Sequence, residues 1–208
     1  MLWEGAAARN PSRSPSRRPY STRVPSLIVL NGPPGIGKSE LARRYVGDHP
    51  LALNLDIDVV RELLGQWAQY REQAGLLVRQ LALGMARAHL LAGFDVVIPQ
   101  YLGRLRFLEE LDALAGELGI VLREFVLLDT RENSLSRWAT RQALDPTAGP
   151  STEAADLRNE ELTGELYDRL LSVLQARPAV VVIRSEEGRP AAAYQALLDG
   201  LDMPGGGT

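Results

Sequence analysis

Short continuous apolar runs alternate along this chain with longer stretches in which apolar residues recur every three or four positions. Leu27–Asn31 (LIVLN) is β-branched and apolar throughout, the pattern of a strand buried on both faces. Leu51–Asp56 (LALNLD), Asp95–Pro99 (DVVIP), Val121–Asp129 (VLREFVLLD) and Ala179–Arg184 (AVVVIR) read as four further strands, the first of them weakened by its Ala and Leu content. Between them the helical period appears from about Lys38 to Val46, and from about Val59 to Ala92 with a break near Tyr70–Gly75. It returns over Arg104–Leu118, Glu132–Ala143, Glu153–Ala176 and Pro190–Leu201. Gly93 and Gly119 are placed to end two of these helices. Asp145–Thr152, with two prolines and a glycine, reads as a loop. Strands alternating with helices of this length predict βαβ units, a parallel sheet, and right-handed crossovers that put helices on both faces.

Composition trims the possibilities. The chain has 208 residues, 45% of them hydrophobic, a net charge of −3, and no run of membrane-spanning length. One α/β domain over residues 27–202 is the expectation, cytoplasmic, a monomer or homodimer, with no nucleic acid and no membrane as partner. The absence of cysteine excludes disulfides, thiol catalysis and Cys-ligated zinc, and two histidines far apart (His49, His89) suggest no metal site. Residues 1–26, rich in Pro, Ser and Arg, are expected to form a disordered leader, and residues 203–208 a disordered tail.

The chemistry begins directly after the first strand. Gly32-Pro33-Pro34-Gly35-Ile36-Gly37-Lys38-Ser39 fits G-x-x-x-x-G-K-[ST] between a buried strand and a helix. The glycines permit a loop whose N–H groups turn inward around a phosphate, and the helix beginning at Lys38 adds the positive end of its dipole. Lys38 supplies a cation to the β- and γ-phosphates, and Ser39 offers a hydroxyl to Mg²⁺. Pro33 and Pro34 lack N–H donors and stiffen the loop's edge. The nucleotide-binding span is therefore Gly32 to Glu40, with ATP and Mg²⁺ as the implied ligands.

Downstream, Asp56 and Asp58 (LDIDVVR) fall at the carboxyl end of the second strand, where open parallel sheets bind ligands. One of the pair can deprotonate an attacking hydroxyl and the other can hold Mg²⁺; alternatively Asp58 N-caps the following helix. Arg137 and Arg141 lie four apart, on one helix face. They suit either an arginine-bearing lid hinged at Asp145–Thr152 or a solvated face balanced by Glu132. Gln100 ends the third strand where many phosphate-loop proteins carry an acid. Tyr101, Arg104 and Arg106 follow it as acceptor candidates, whereas Trp67, spaced with Leu63 and Leu64, reads as core. Asp129 reads as a cap or hinge, with metal contact as the alternative.

The GPPGIGKS loop followed by LDIDVVREL resembles the P-loop small-molecule kinases, among them adenylylsulfate, gluconate and shikimate kinases, chloramphenicol phosphotransferase and the zeta toxins. The resemblance spans roughly Leu27 to Leu201. It implies a three-layer P-loop NTPase fold with a parallel sheet in the order 2-3-1-4-5 and a helical lid over about residues 131–155. It further implies γ-phosphate transfer from MgATP to a small-molecule hydroxyl, with Asp58 as base, Asp56 near the metal and Arg61 on the acceptor. Lys38, Arg137 and Arg141 would act on the transferring phosphate, and Gln100, Tyr101 and Arg104 on the acceptor. A nucleotide-driven switch ATPase, a non-catalytic nucleotide-binding module and a zeta-toxin-like kinase of a nucleotide sugar are the competing readings.

Overall fold

A computed structural model describes residues 24–144 and 160–203, without the side chains of 141–144 and 160–163. The expected leader up to residue 23, the whole of the predicted loop and the first part of the helix predicted from Glu153 lie outside the described residues. So do residues 204–208 of the tail. The elements run β1 (Leu27–Asn31), α1 (Lys38–Asp48), β2 (Leu53–Asn54), α2 (Ile57–Glu62), α3 (Arg71–Leu91) and β3 (Val96–Pro99). They continue as α4 (Leu105–Leu118), β4 (Leu122–Leu128), α5 (Arg131–Leu144), α6 (Glu160–Ala176), β5 (Val181–Arg184) and α7 (Pro190–Asp202). The five strands form one parallel sheet in the order β2-β3-β1-β4-β5, as expected.

β1 is central because its sequence leaves it no alternative. Leu27, Ile28, Val29 and Leu30 are all fully buried, and the strand pairs with β3 on one side and β4 on the other. At about 1.5–3 kcal/mol for each such side chain, β1 anchors both core layers. Leu27 and Val29 face a cluster with Val78, Ala82 and Ala86 of α3 and Leu108 and Leu111 of α4. Ile28 and Leu30 face Leu41 and Tyr45 of α1 and Leu197 of α7. A smaller cluster under α6 joins Val126 to Leu166 and Leu170. Thus α1 and α4, which leave the neighbouring strands β1 and β3, go to opposite faces and open a crevice at the strands' carboxyl ends.

Three expectations shift in detail and a fourth holds. β2 is only two residues long, because Leu51 turns with φ 63° and Asp56 already serves as the N-cap of α2. The helical break falls at residues 63–70, one turn earlier than predicted, where Gln66 adopts φ 54°. The ordered domain reaches back to Ser26, whose N–H donates to Asp95 Oδ1 at 2.7 Å and whose carbonyl accepts from Val96. Gly119 ends α4 in the left-handed conformation, as its position predicts.

Candidate active site

The loop from Asn31 to Ser39 leaves β1 at the sheet's carboxyl edge. Gly32 holds φ 148°, and a Cβ there would lie 2.6 Å from the Leu127 carbonyl of β4, so only glycine fits. Gly37, at φ 105°, is the N-cap of α1 and has no side chain to cap it. The first N–H groups of α1 therefore receive no side-chain cap and face an anion's place. Lys38, nearly buried, folds over the loop: its Nζ donates to the carbonyls of Gly32 at 2.8 Å and Pro33 at 2.9 Å. Ser39 follows it in the first turn of α1, and Glu40, exposed, pairs with Arg43 at 2.5 Å.

Two buried side chains tie this loop to its neighbours. Asn31 accepts from the N–H groups of Gly32 and Leu102, both at 2.8 Å, and donates from Nδ2 to the Leu102 carbonyl at 3.0 Å. One amide thus locks the start of the phosphate loop to the segment after β3. Ser185, just past β5, donates from Oγ to the Ile36 carbonyl at 2.9 Å. Neither residue belongs to the loop motif's fixed positions. Their signal was placement, since both stand at carboxyl ends of strands.

Beside the loop lies a cleft of about 570 Å³, bounded by Gly35–Gly37, by Ser136, Arg137 and Thr140 of α5, and by residues 185–190. No local pattern in the sequence marks this third wall. Arg137 enters the cleft at the loop's apex, where a Cβ on Gly35 would sit 3.6 Å from the Arg137 carbonyl. Its guanidinium lies 3.0 Å from Asp129, both side chains largely buried. Asp129 Oδ1 accepts from the Thr130 N–H at 2.8 Å and from Asn133 Nδ2 at 2.9 Å. Thr130 caps the start of α5, its Oγ1 accepting from the Asn133 N–H at 3.2 Å, and Asp129 braces the turn just before the helix. Burial works to raise its pKa, but those hydrogen bonds and the charges of Arg137 and Arg184 hold it below the usual carboxylate range. Arg141 belongs to the last turns of α5, and its side chain lies outside the described residues.

Across the crevice stand the residues after β2 and β3. Asp56, not Asp58, caps α2: its Oδ1 accepts from the Asp58 N–H at 3.0 Å. The alternative in which Asp58 is the cap is thereby removed, and its side chain turns inward. Asp58 Oδ1 is shielded from solvent and lies 2.9 Å from Arg61 Nη1. Burial pushes the Asp58 carboxyl up and the charge of Asp56 adds to this, against the opposing pull of Arg61, Lys38 and a hydrogen bond from Gln100. These interactions bring Lys38, Asp56, Asp58, Arg61 and Gln100 into one neighbourhood. Arg61 is itself buried, and its guanidinium carbon lies 4.6 Å from the centre of the Trp67 ring. Trp67 is thus a half-buried wall of the site rather than core, because the turn at Gln66 lifts it off helical spacing.

Two expected acceptor contacts are placed elsewhere. Tyr101 is in the core under α6, its hydroxyl donating to the Leu166 carbonyl at 3.0 Å, so its ring is committed to packing. Arg104 is exposed and lines a separate cleft of about 230 Å³ with Arg169 and Ser172 of α6.

Among the described residues, nine buried side-chain polar atoms have no hydrogen-bond partner; four of them form the Asp58–Arg61 and Asp129–Arg137 ion pairs, and the other five come from Asn54, Arg61, Gln100, Ser134 and Arg137. Orphaned groups of this kind are rare in folded proteins and mark places where a ligand completes the set. Among the described residues no group of three or more His, Asp or Glu side chains forms a cation cage. The Ser39 hydroxyl and the Asp56 carboxylate are hard oxygen donors of the kind Mg²⁺ takes when it accompanies a nucleotide.

A family model described as an AAA domain matches residues 27–165. A candidate kinase from Chloroflexus aurantiacus j-10-fl superposes with a TM-score of 0.61 at 13% identity, covering 86% of this chain and 99% of that one. A gluconokinase from Sinorhizobium meliloti 1021 superposes at 0.56 and 17% identity, covering 86% and 93%. A chain of the Pnkp1/Rnl/Hen1 RNA repair complex gives 0.55 at 17%, covering 76% of this chain and only 47% of that one. At these identities the likeness is one of fold, a P-loop kinase-like fold. No curated protein matches the chain in sequence. No helix among the described residues is long and apolar enough to cross a membrane.

Proposed function

This chain belongs to the AAA-domain family, and from that premise we propose that it is an ATP-dependent phosphotransferase that moves the γ-phosphate of MgATP to a hydroxyl of a small molecule. The observation that carries this reading is a carboxylate, Asp58, just past β2 on the sheet edge where the phosphate loop also leaves β1, with its Oδ1 shielded from solvent. A nucleotide-binding module needs the cradle alone, whereas a kinase also needs a base at the acceptor's side.

In this reading the loop amides and Lys38 hold the β- and γ-phosphates, the latter after exchanging the Gly32 and Pro33 carbonyls for phosphate oxygens. Mg²⁺, when bound, would offset phosphate charge, and Ser39 and Asp56 are the residues that would hold it. Asp58 accepts the hydroxyl proton as the acceptor oxygen bonds to phosphorus and the bridging bond to ADP breaks. Burial favours this exchange by making the Asp58 carboxylate a stronger base than an exposed one. Gln100 orients Asp58, and Arg61 faces the acceptor. Arg137 serves the transferring phosphate from α5. The 570 Å³ cleft receives the nucleoside.

The test is a panel of hydroxyl-bearing metabolites and antibiotics incubated with the full chain and [γ-³²P]ATP. Label appearing in an acceptor product, lost in Asp58→Asn, is the expected result. Rapid release of labelled phosphate that no acceptor alters would instead identify a switch-type ATPase.

A further inference from the structure

Helix α3 is apolar on two sides. Its inner side, with Val78, Ala82, Ala86 and Leu90, is buried in the core. An outer side normally carries charge, and 24% of this chain's residues are charged. Yet every fully exposed residue from 76 to 92 is uncharged. Leu77, Leu81, Gly84, Ala88 and Leu91 follow one another at steps of four, three, four and three, the spacing of a seam that packs along a second helix. Leu77 is 52% exposed, Leu81 46% and Leu91 69%, and Leu76 and Met85 widen the strip. Arg87 is turned to Glu117 of α4 and His89 to the Leu51 carbonyl, so both are drawn away from the seam.

Gly84 stands at the centre. A glycine exposed in mid-helix weakens the helix, and a Cβ there would meet nothing within 4 Å, so no contact inside the chain requires it. It leaves a notch in which a second helix can approach closely. The strip also has the symmetry of a self-contact. Laid antiparallel on its own copy about a two-fold axis near Gly84, it sets Leu77 opposite Leu91 and Leu81 opposite Ala88, so that bulky and small side chains interlock. Its five large side chains leave roughly 450 Å² in water, the size of patch that marks an interaction site. Two copies face to face remove about twice that, and the small residues between them carry the total toward the ~1,200 Å² of a specific interface. A charged protein or a nucleic acid would find no counter-charge on this strip.

We propose that the outer face of α3 is a homodimer interface, on which a second copy of this chain packs its own α3 antiparallel across Leu77, Leu81, Gly84, Ala88 and Leu91. The contact braces the acceptor side as well, because Val78 and Ala82 of α3 share a core cluster with Ile57 and Val60 of α2, the helix that carries Asp58 and Arg61.

The experiment is sedimentation equilibrium on the full chain over roughly 1–100 μM, the range in which an interface of this size associates. The mass of two 22.8 kDa chains is expected within that range. Leu81→Glu, which sets like charges into the seam, should raise the dissociation constant by about 10²-fold with an unchanged circular dichroism spectrum. Gly84→Leu should raise it by about 10-fold, although it adds apolar surface and helix propensity, because it fills the notch. The chain has no cysteine of its own, so a single introduced one reports the geometry. Gly84→Cys is expected to cross-link under diamide, and Gln73→Cys, about 33 Å from its counterpart along the antiparallel pair, is not. A monomer at every concentration overturns the proposal. So does a dimer that Leu81→Glu leaves intact, a Gly84→Leu dimer tighter than the unaltered one, or cross-linking through Gln73→Cys but not Gly84→Cys. A monomer that sediments with phosphatidylcholine–phosphatidylserine vesicles also overturns it, since the strip would then face lipid and not a second copy.

Discussion

The two halves of the site are built from different materials. The phosphate half is backbone: glycines at φ 148°, 80° and 105°, uncapped amides at the start of α1, and carbonyls that hold Lys38. The acceptor half is side chain: Asp58, Arg61, Gln100 and Trp67, contributed by three separate segments, with Arg61 Nε and Gln100 Oε1 buried without a hydrogen-bond partner. Backbone geometry depends on a few residues at fixed spacing, so it is stitched firmly by Asn31 and Ser185 and serves any nucleotide. Side-chain geometry is adjustable, and that is where a fold shared with other kinases acquires its own substrate.

The comparison predicts unequal effects. After Asp58 itself, removing Arg137, which stands between the halves, should be the most damaging to transfer: Arg137→Ala is expected to lower turnover by about 10²–10³-fold in single-turnover phosphate transfer. Asp129→Asn should cost about 10-fold. The double variant should be no worse than Arg137→Ala alone, because both changes break one pair; an additive loss would show that Asp129 acts independently. Next, Gly32→Ala drives a Cβ against the immovable Leu127 carbonyl and should destabilise the fold by about 2–3 kcal/mol, seen as a lowered Tm. Asn31→Ala leaves the N–H groups of Gly32 and Leu102 without their partner and is expected to cost about 1–2 kcal/mol, with weaker nucleotide binding in step. The smallest signal is in pH. A base must be ionised, and burial raises Asp58, so kcat/KM should rise with pH through a midpoint above the ordinary carboxylate range. A midpoint at or below that range would argue against Asp58 as the base.

How legible each half was in the sequence follows from the same contrast. The strand order and the phosphate loop agree with expectation because alternating buried runs and a G-x-x-x-x-G-K-[ST] spacing are local patterns. Asp56 and Asp58 were located by the rule that strands deliver ligands at their carboxyl ends, but which of them caps α2 depends on where that helix starts. Two residues' difference at the start of α2 decided it. Trp67 was read as core because helical spacing was extended through a turn that Gln66 breaks, and nothing local demands φ 54° of a glutamine. Tyr101 was read as a ligand contact because its position is right for one. Its ring instead packs beneath α6, a contact 65 residues away that no local pattern encodes. The Ser185–Pro190 wall is equally remote from the loop it faces.

The division of labour between the halves is tested most directly by one paired measurement: the affinity of the full chain for MgATP, by calorimetry, in Lys38→Ala and Asp58→Asn. Lys38→Ala is expected to weaken binding by at least about 10²-fold, and Asp58→Asn to leave it within about threefold. Loss of nucleotide affinity in Asp58→Asn to the same degree as in Lys38→Ala would contradict the account, because the carboxylate would then belong to the nucleotide's cradle and not to the acceptor.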